Sequence, residues 1–177
     1  MARIPLPTRE TYPDTERWDK QAARGPILNI QRAFMSNPEI RLDAFGAWKG
    51  SGLSTRAREL VILRCAFVQE SGYEWHQHVR IARDAGISDA DIDAVRTWPT
   101  ATAFSGDERA LLAYVDEMAQ KRRPSDEAFE AMSNGRTPAE VLGVTYLVSL
   151  YFALARVMSA LDLETETAFV GWEIGKK

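Results

Sequence analysis

Residue patterns that begin or end helices recur along this chain. No segment alternates between apolar and polar residues as a half-buried strand does. The runs S-G-D-E at 105–108 and T-P-A-E at 137–140 are typical capping boxes, in which a hydroxyl and a carboxylate bond the free N–H groups that begin a helix. These signals predict an all-α bundle of about seven to nine helices. The predicted helices cover residues 14–24, 26–36, 38–50, 55–70, 73–85, 88–96, 105–121 and 137 to beyond 160.

The composition is typical of one soluble, globular domain. The chain has 177 residues, of which 45% are hydrophobic and 27% are charged. Its formal net charge is −3, which disfavours a nucleic-acid-binding protein because such proteins usually carry a basic excess. No repeat or inter-domain linker interrupts the pattern, so we expect a single domain over residues 1–177. Three prolines in residues 1–13 predict an extended N-terminal arm.

The sequence predicts a cytoplasmic protein that does not enter a membrane. Residues 1–10 carry two prolines and two arginines but no apolar segment of a secretory signal. Cys65 is the single cysteine, so no disulfide can form within the chain, which is typical of a reducing compartment. The longest apolar run, 141–155, is shorter than the roughly 20 residues of a bilayer span and predicts a buried helix.

Three ionisable residues fall on faces that the helical period predicts to be apolar. Glu59 lies on such a face of the 55–70 helix, and Glu74 and His78 lie on such a face of the 73–85 helix. Glu74 and His78 are four residues apart, so their side chains are close enough to contact. Burial and mutual contact would shift their pKa values toward working pH.

A purely structural interpretation of the same residues is equally consistent with the spacing. Ser71-x-x-Glu74 also fits a capping box, and His78 would then be a core histidine whose hydrogen bond Glu74 satisfies. Glu59 would pair with a neighbouring arginine. Both interpretations stay open at this level.

Two short motifs stand on these helices, Arg58-Glu59-Leu60 and Tyr73-Glu74-Trp75-x-x-His78-x-x-x-Ala82-x-x-x-Gly86. Together they resemble the carboxymuconolactone decarboxylase family of the alkylhydroperoxidase D-like superfamily. The resemblance implies the helical bundle of that superfamily and assembly as a homo-oligomer, a trimer or a hexamer. The apolar 55–70 helix then fits either a subunit interface or the core of one chain.

The peroxidase branch of this superfamily carries a C-x-x-C pair, and this chain lacks it. Ser71 and Glu74 stand where the two cysteines would be. Reduction of a hydroperoxide requires a thiolate to attack and a second thiol to resolve the sulfenate, and neither serine nor glutamate does this. Cys65 has no resolving neighbour. Alkylhydroperoxidase activity is therefore a disfavoured alternative.

The resemblance instead implies an acid–base enzyme that needs no cofactor. Its expected substrate is a small carboxylated lactone or a related aromatic catabolite, and its expected reaction is decarboxylation or a related lyase step. His78 would transfer the proton, Glu74 would orient His78, and Glu59 would act as a relay or second acid–base group. The expected substrate contacts are Tyr73, Trp75 and Ser71.

The sequence also bears on a metal centre, on a cation for the substrate and on a non-enzymatic alternative. A metal centre is not expected, because Glu74 and His78 provide only two ligands and His76 points about 160° away from His78 on an ideal helix. A carboxylate substrate calls for a cation, for which Arg56, Arg58, Arg64 and Arg156 are the candidates. The remaining alternative is a non-catalytic oligomeric scaffold or small-ligand binder.

Overall fold

The computed structural model describes residues 2–121 and 123–166, and within them it contains nine α-helices, one short 3₁₀ turn and no strand. The all-α prediction is confirmed. Residues 1, 122 and 167–177 of the predicted domain lie outside the described residues. The helices are α1 (Thr15–Ala22), α2 (Asn29–Met35), α3 (Ala44–Gly50), α4 (Thr55–Val68), α5 (Gly72–Asp84), α6 (Asp89–Ala94), α7 (Gly106–Gln120), α8 (Asp126–Ser133) and α9 (Pro138–Ala160).

The predicted capping boxes begin two of the long helices. Ser105 and Glu108 exchange both hydrogen bonds at the start of α7, and Thr137 and Glu140 do so at the start of α9. Each box satisfies donors that would otherwise be unpaired at a helix start. These two boundaries are therefore set by local sequence.

The start of α3 was predicted wrongly, and α8 was not predicted. We expected a helix from residue 38, but α3 begins at Ala44 because the Asp43 carboxylate accepts from the Gly46 N–H at 2.8 Å and caps it there. The Asn37 side chain instead accepts from the Glu39 N–H, which favours a turn. Helix α8 is capped by Ser125.

Helix α4 forms the centre of the molecule and packs against α5, α7 and α9. Leu60, Val61, Ile62 and Leu63 point in successive directions around it, and each is no more than 1% exposed. Burial of each such side chain contributes about 1.5–3 kcal/mol. The sequence allowed this helix to lie either at a subunit interface or in the core of one chain. In the structure it lies in the core of one chain.

Helix α9 is long and apolar enough to cross a bilayer by length and composition alone. One face of it is buried in the core through Val144, Leu147 and Val148, as in a central helix of a folded domain. Gly143 allows this packing, because a Cβ atom there would lie 1.9 Å from the carbonyl oxygen of Gly50. The close contact holds α3, and with it Trp48, beside α9.

The N-terminal arm lies across α2 and the end of α9. The Arg3 N–H donates to the Leu161 carbonyl at 2.8 Å, and the Arg32 guanidinium donates to the Pro7 and Leu6 carbonyls. These bonds fix α2 against α9, so that α2, α3, α5 and α9 surround one cavity.

Candidate functional site

Helices α4 and α5 bring Glu59 and His78 into direct contact. The Nδ1 atom of His78 lies 2.7 Å from Oε2 of Glu59, and the other carboxylate oxygen accepts from Nε of Arg58 at 2.9 Å. Glu59 is fully buried and His78 is 6% exposed. Nε2 of His78 has no hydrogen-bond partner among the described residues, so it is the ring nitrogen that is available to a ligand.

The predicted contact between Glu74 and His78 is absent from the structure, and Glu59 takes its place. Both carboxyl oxygens of Glu74 are buried without a hydrogen-bond partner in the described part of the chain. Ser71 caps α5 by accepting from the Glu74 N–H at 3.4 Å, but the Glu74 side chain does not return the bond. Only half of the predicted capping box therefore forms, and the role of orienting His78 passes from Glu74 to Glu59.

The two glutamates have opposite protonation states. Burial raises the pKa of Glu74 well above its usual value, and no neighbouring charge opposes this effect, so its carboxyl group is uncharged. Burial would also raise the pKa of Glu59, but the hydrogen bonds and charges of His78 and Arg58 outweigh it and the net shift is downward. Two carboxyl groups whose pKa values are shifted in opposite directions are typical of an acid and a base in one site.

His78 and Glu74 both line a cavity of about 180 Å³. Its volume suits a small organic molecule, and aliphatic side chains from α5, α9 and the α2 region form much of its wall. The side chains that bring polar atoms or aromatic rings to it are Gln31, Trp48, Tyr73, Glu74, Gln77, His78 and Tyr151.

Two aromatic residues hold the His78 ring in place. The His78 ring lies edge-on to Tyr151, with 5.1 Å between ring centroids, and to Trp48 at 6.2 Å. Nε1 of Trp48 donates to the Tyr151 hydroxyl oxygen at 2.6 Å. Burial raises the pKa of Tyr151, so its hydroxyl group stays protonated. Neither residue was predicted from the sequence, in which only the apolar helix around Tyr151 provides a signal.

Of the three predicted substrate contacts, only Tyr73 lines this cavity. Trp75 was placed there wrongly: it is fully buried on the opposite side of α5, where its ring packs against Phe67 with centroids 6.4 Å apart. Ser71 caps the helix and lines a separate space of about 130 Å³. His76 is likewise buried. Helix α5 is covered on several sides, which the helical period alone does not reveal.

None of the described arginines lines the cavity. Arg56 binds Asp91 and Glu108, and Arg64 binds Asp116 and two backbone carbonyls. Arg58 lies over the Trp48 ring at 4.7 Å and pairs with Glu59. Arg156 is exposed at the end of α9. The cation that we expected for a substrate carboxylate is therefore not provided by any of these four residues.

The described residues contain no cluster of metal ligands, and their cysteine is buried. No three His, Cys, Asp or Glu side chains in ranges 2–121 and 123–166 lie close enough together to hold a metal ion. Cys65 is fully buried, and burial raises the pKa of its thiol well above the usual value. It therefore stays a thiol rather than the reactive thiolate.

Comparison with known proteins gives a family match over the part of the chain that contains this site. Residues 41–117, which contain Glu59, Glu74 and His78, match the model of the carboxymuconolactone decarboxylase family. No curated protein matches the chain in sequence.

Three solved structures share the fold. An uncharacterised peroxidase-related protein from Silicibacter sp. TM1040 is 16% identical, with a TM-score of 0.79 over 95% of this chain and 93% of its own. A peroxidase-related protein with an alkylhydroperoxidase AhpD core from Ralstonia eutropha JMP134 is 17% identical, with a TM-score of 0.77 over 95% of this chain and 94% of its own. A cysteine-to-alanine variant of the debrominase Bmp8, in complex with 2,3,4-tribromopyrrole, is 15% identical, with a TM-score of 0.76 over 94% of this chain and 95% of its own.

At these identities the likeness shows the fold and no specific activity. The motif resemblance is confirmed to this extent: residues 41–117 match the carboxymuconolactone decarboxylase family model, and the chain has the helical fold of AhpD-like proteins.

Proposed function

We propose that this chain is a decarboxylase-like lyase that acts on a small carboxylated lactone or a related aromatic catabolite through a Glu/His acid–base set. The observation that carries the proposal is the 2.7 Å contact between buried Glu59 and His78 at the wall of the cavity. An uncharged Glu74 lines the same cavity. A histidine held in this way is typical of general acid–base catalysis.

His78 is the proposed proton donor. When a conjugated lactone acid loses CO₂, the electrons of the broken C–C bond pass into a dienolate, which must accept a proton on carbon. The protonated imidazole delivers that proton from Nε2, and solvent then restores it. Glu59 holds Nδ1 and stabilises the positive ring, so its negative charge supports the step without leaving the pair.

Glu74 and the apolar wall have separate proposed roles. The uncharged Glu74 carboxyl donates a hydrogen bond to the lactone carbonyl oxygen, where the negative charge of the dienolate accumulates. A reacting carboxylate beside aliphatic side chains loses its hydration, and this favours its conversion to uncharged CO₂. The cavity thus suits a reaction in which charge moves from a carboxylate to a carbonyl oxygen.

The test is turnover of unsaturated five-membered lactone acids, measured as CO₂ release. His78→Ala is expected to lower kcat by roughly 10²–10⁴-fold. The matched control is His76→Gln, which changes the other histidine; His76 does not line the cavity, so its kcat should stay near that of the wild type. Circular dichroism and thermal unfolding verify that both variants fold. Undiminished turnover in folded His78→Ala would contradict the proposal.

Two alternatives receive less support. Alkylhydroperoxidase activity lacks an accessible thiolate, since Cys65 is buried. A scaffold or ligand binder without catalysis would explain the buried pair as a structural contact, but it gives no reason for an uncharged carboxyl group without a partner at the cavity wall. A folded wild-type chain that binds lactone acids and converts none of them would favour the binder.

We also propose a cytoplasmic homo-oligomer, a trimer or a hexamer. Helix α4 is already covered within one chain, so another surface must form the contact. Leu142 and Tyr146 on α9 are 70% and 50% exposed, and Phe129 on α8 is 44% exposed. Exposed apolar side chains that lie close together favour an interface. Light scattering of the wild type and of Leu142→Glu tests this, and a monomeric wild type would contradict it.

A further inference from the structure

Three uncharged donors converge on the carboxylate of Glu166. The Tyr73 hydroxyl donates to Oε1 at 2.6 Å, the Gln77 amide donates to Oε2 at 2.8 Å, and the Asn29 backbone N–H donates to Oε1. A second contact fixes the chain next to Glu166, since the Asn29 side chain donates to the Glu164 carbonyl at 2.9 Å. Both oxygens of one carboxylate are therefore bound by groups from α2 and α5.

Two of these donors, Tyr73 and Gln77, also line the cavity that contains His78. Glu166 is exposed and does not line that cavity. The donors thus lie between the tail and the cavity. They form a carboxylate-binding arrangement without a cation, in a site where no described arginine is available. Hydrogen bonds to an ionised carboxylate are among the stronger ones in proteins.

We propose that Tyr73, Gln77 and the Asn29 N–H are the subsite for a carboxylate of the substrate, and that Glu166 occupies this subsite in the unliganded chain. The inference rests on the proposed function and deepens it. A substrate carboxylate that replaces Glu166 takes over the same three donors, and the rest of the molecule then extends into the cavity toward His78.

The chemistry of decarboxylation limits which carboxylate binds there. A carboxylate that leaves as CO₂ loses its negative charge on the way to the transition state. Strong hydrogen bonds to it would stabilise the ground state more than the transition state and would slow the reaction. The subsite therefore holds a second carboxylate, which stays with the product.

Glu166 then acts as an internal competitor. It is held near the subsite by its own chain, so its effective concentration there is high and a ligand must displace it. Removal of the Glu166 carboxylate should tighten binding of a substrate carboxylate, whereas removal of a donor should weaken it. A purely structural role of Glu166 predicts no change in binding in either direction.

Titration calorimetry with an unreactive probe tests this. The probe is a saturated five-membered lactone that bears one carboxyl group, and its methyl ester is the uncharged control. The wild type should bind the acid and not the ester. Glu166→Ala should bind the acid several-fold tighter. Tyr73→Phe should bind it roughly ten-fold or more weakly, and Gln77→Ala provides a second donor variant if Tyr73→Phe does not fold.

Equal affinity for acid and ester, or unchanged affinity in Glu166→Ala, would overturn the inference. Its failure is separable from that of the proposed function, because the probe does not react. If the binding pattern holds while no lactone acid is turned over, the subsite stands and the decarboxylase proposal fails. If turnover depends on His78 while Glu166→Ala and Tyr73→Phe bind the probe like the wild type, the subsite alone is wrong.

Discussion

His78 and Glu59 are joined through Nδ1 and Oε2 at 2.7 Å, although 19 residues separate them in the chain. The carboxylate is ionised, so Nδ1 carries the proton of this bond and Nε2 is directed to the remaining space. Burial of Glu59 means that the pair is not weakened by solvent. This one contact fixes both the tautomer and the orientation of the imidazole.

Glu59→Gln should lower kcat roughly 10²-fold or more, with a small effect on KM. The amide keeps the shape of the side chain but cannot stabilise a positively charged imidazole. Steady-state kinetics with a lactone acid provide the measurement. Asp116→Asn is the matched control, because it also removes a carboxylate paired with an arginine, Arg64, away from the cavity. Equal kcat for Glu59→Gln and the wild type would contradict the role of Glu59.

Glu74→Gln should make the protein more stable at neutral and alkaline pH. The pKa of Glu74 is higher in the folded chain than its unfolded value of 4.5. The contribution of Glu74 to the free energy of unfolding is therefore complete below about pH 4.5. It is lost as pH rises toward the folded pKa, because the carboxyl group ionises in the unfolded chain and not in the folded one. The loss is about 1.4 kcal/mol per pH unit over that window. Glutamine does not ionise and breaks no side-chain hydrogen bond of Glu74.

Urea unfolding of both proteins between pH 5 and pH 8 measures this difference. The free energy of unfolding of Glu74→Gln should exceed that of the wild type by an amount that grows with pH. A constant difference across this range would show that Glu74 is ionised in the folded chain.

The same substitution should reduce activity. An amide donates a weaker hydrogen bond to a developing oxyanion than a carboxyl group does, so we expect kcat to fall roughly ten-fold or more. The wild type should also lose activity as pH rises past the raised pKa of Glu74 and its proton leaves. A pH–rate profile of Glu74→Gln should lack this decline. An identical decline in both proteins would assign it to another group.

Cys65 should not react with a thiol reagent in the folded chain. Its side chain is fully buried and its raised pKa keeps it protonated. Absorbance assays with an aromatic disulfide should therefore detect one thiol only after denaturation. Cys65→Ala should keep the turnover of lactone acids, and neither protein should reduce a hydroperoxide. Rapid labelling of the native thiol would reopen the peroxidase alternative.

Local signals determined the helices and much of the candidate site. The capping boxes at Ser105 and Thr137 fixed two helix starts because their bonds join residues three apart. The helical period placed Glu59, Glu74 and His78 on buried faces, and all three are buried. The missing C-x-x-C pair disfavoured peroxidase chemistry without any coordinates. Each of these inferences concerns residue types or spacings within one helix.

Pairing between helices was decided only by the tertiary structure. The spacing of Glu74 and His78 allowed a contact, but the packing of α4 against α5 gave His78 to Glu59 and left Glu74 without a partner. Trp48 and Tyr151 became neighbours of His78 because Gly143 allows α3 to approach α9 closely. Sequence periodicity fixes the direction of a side chain relative to its own helix axis, whereas helix crossing determines which side chains from two helices meet.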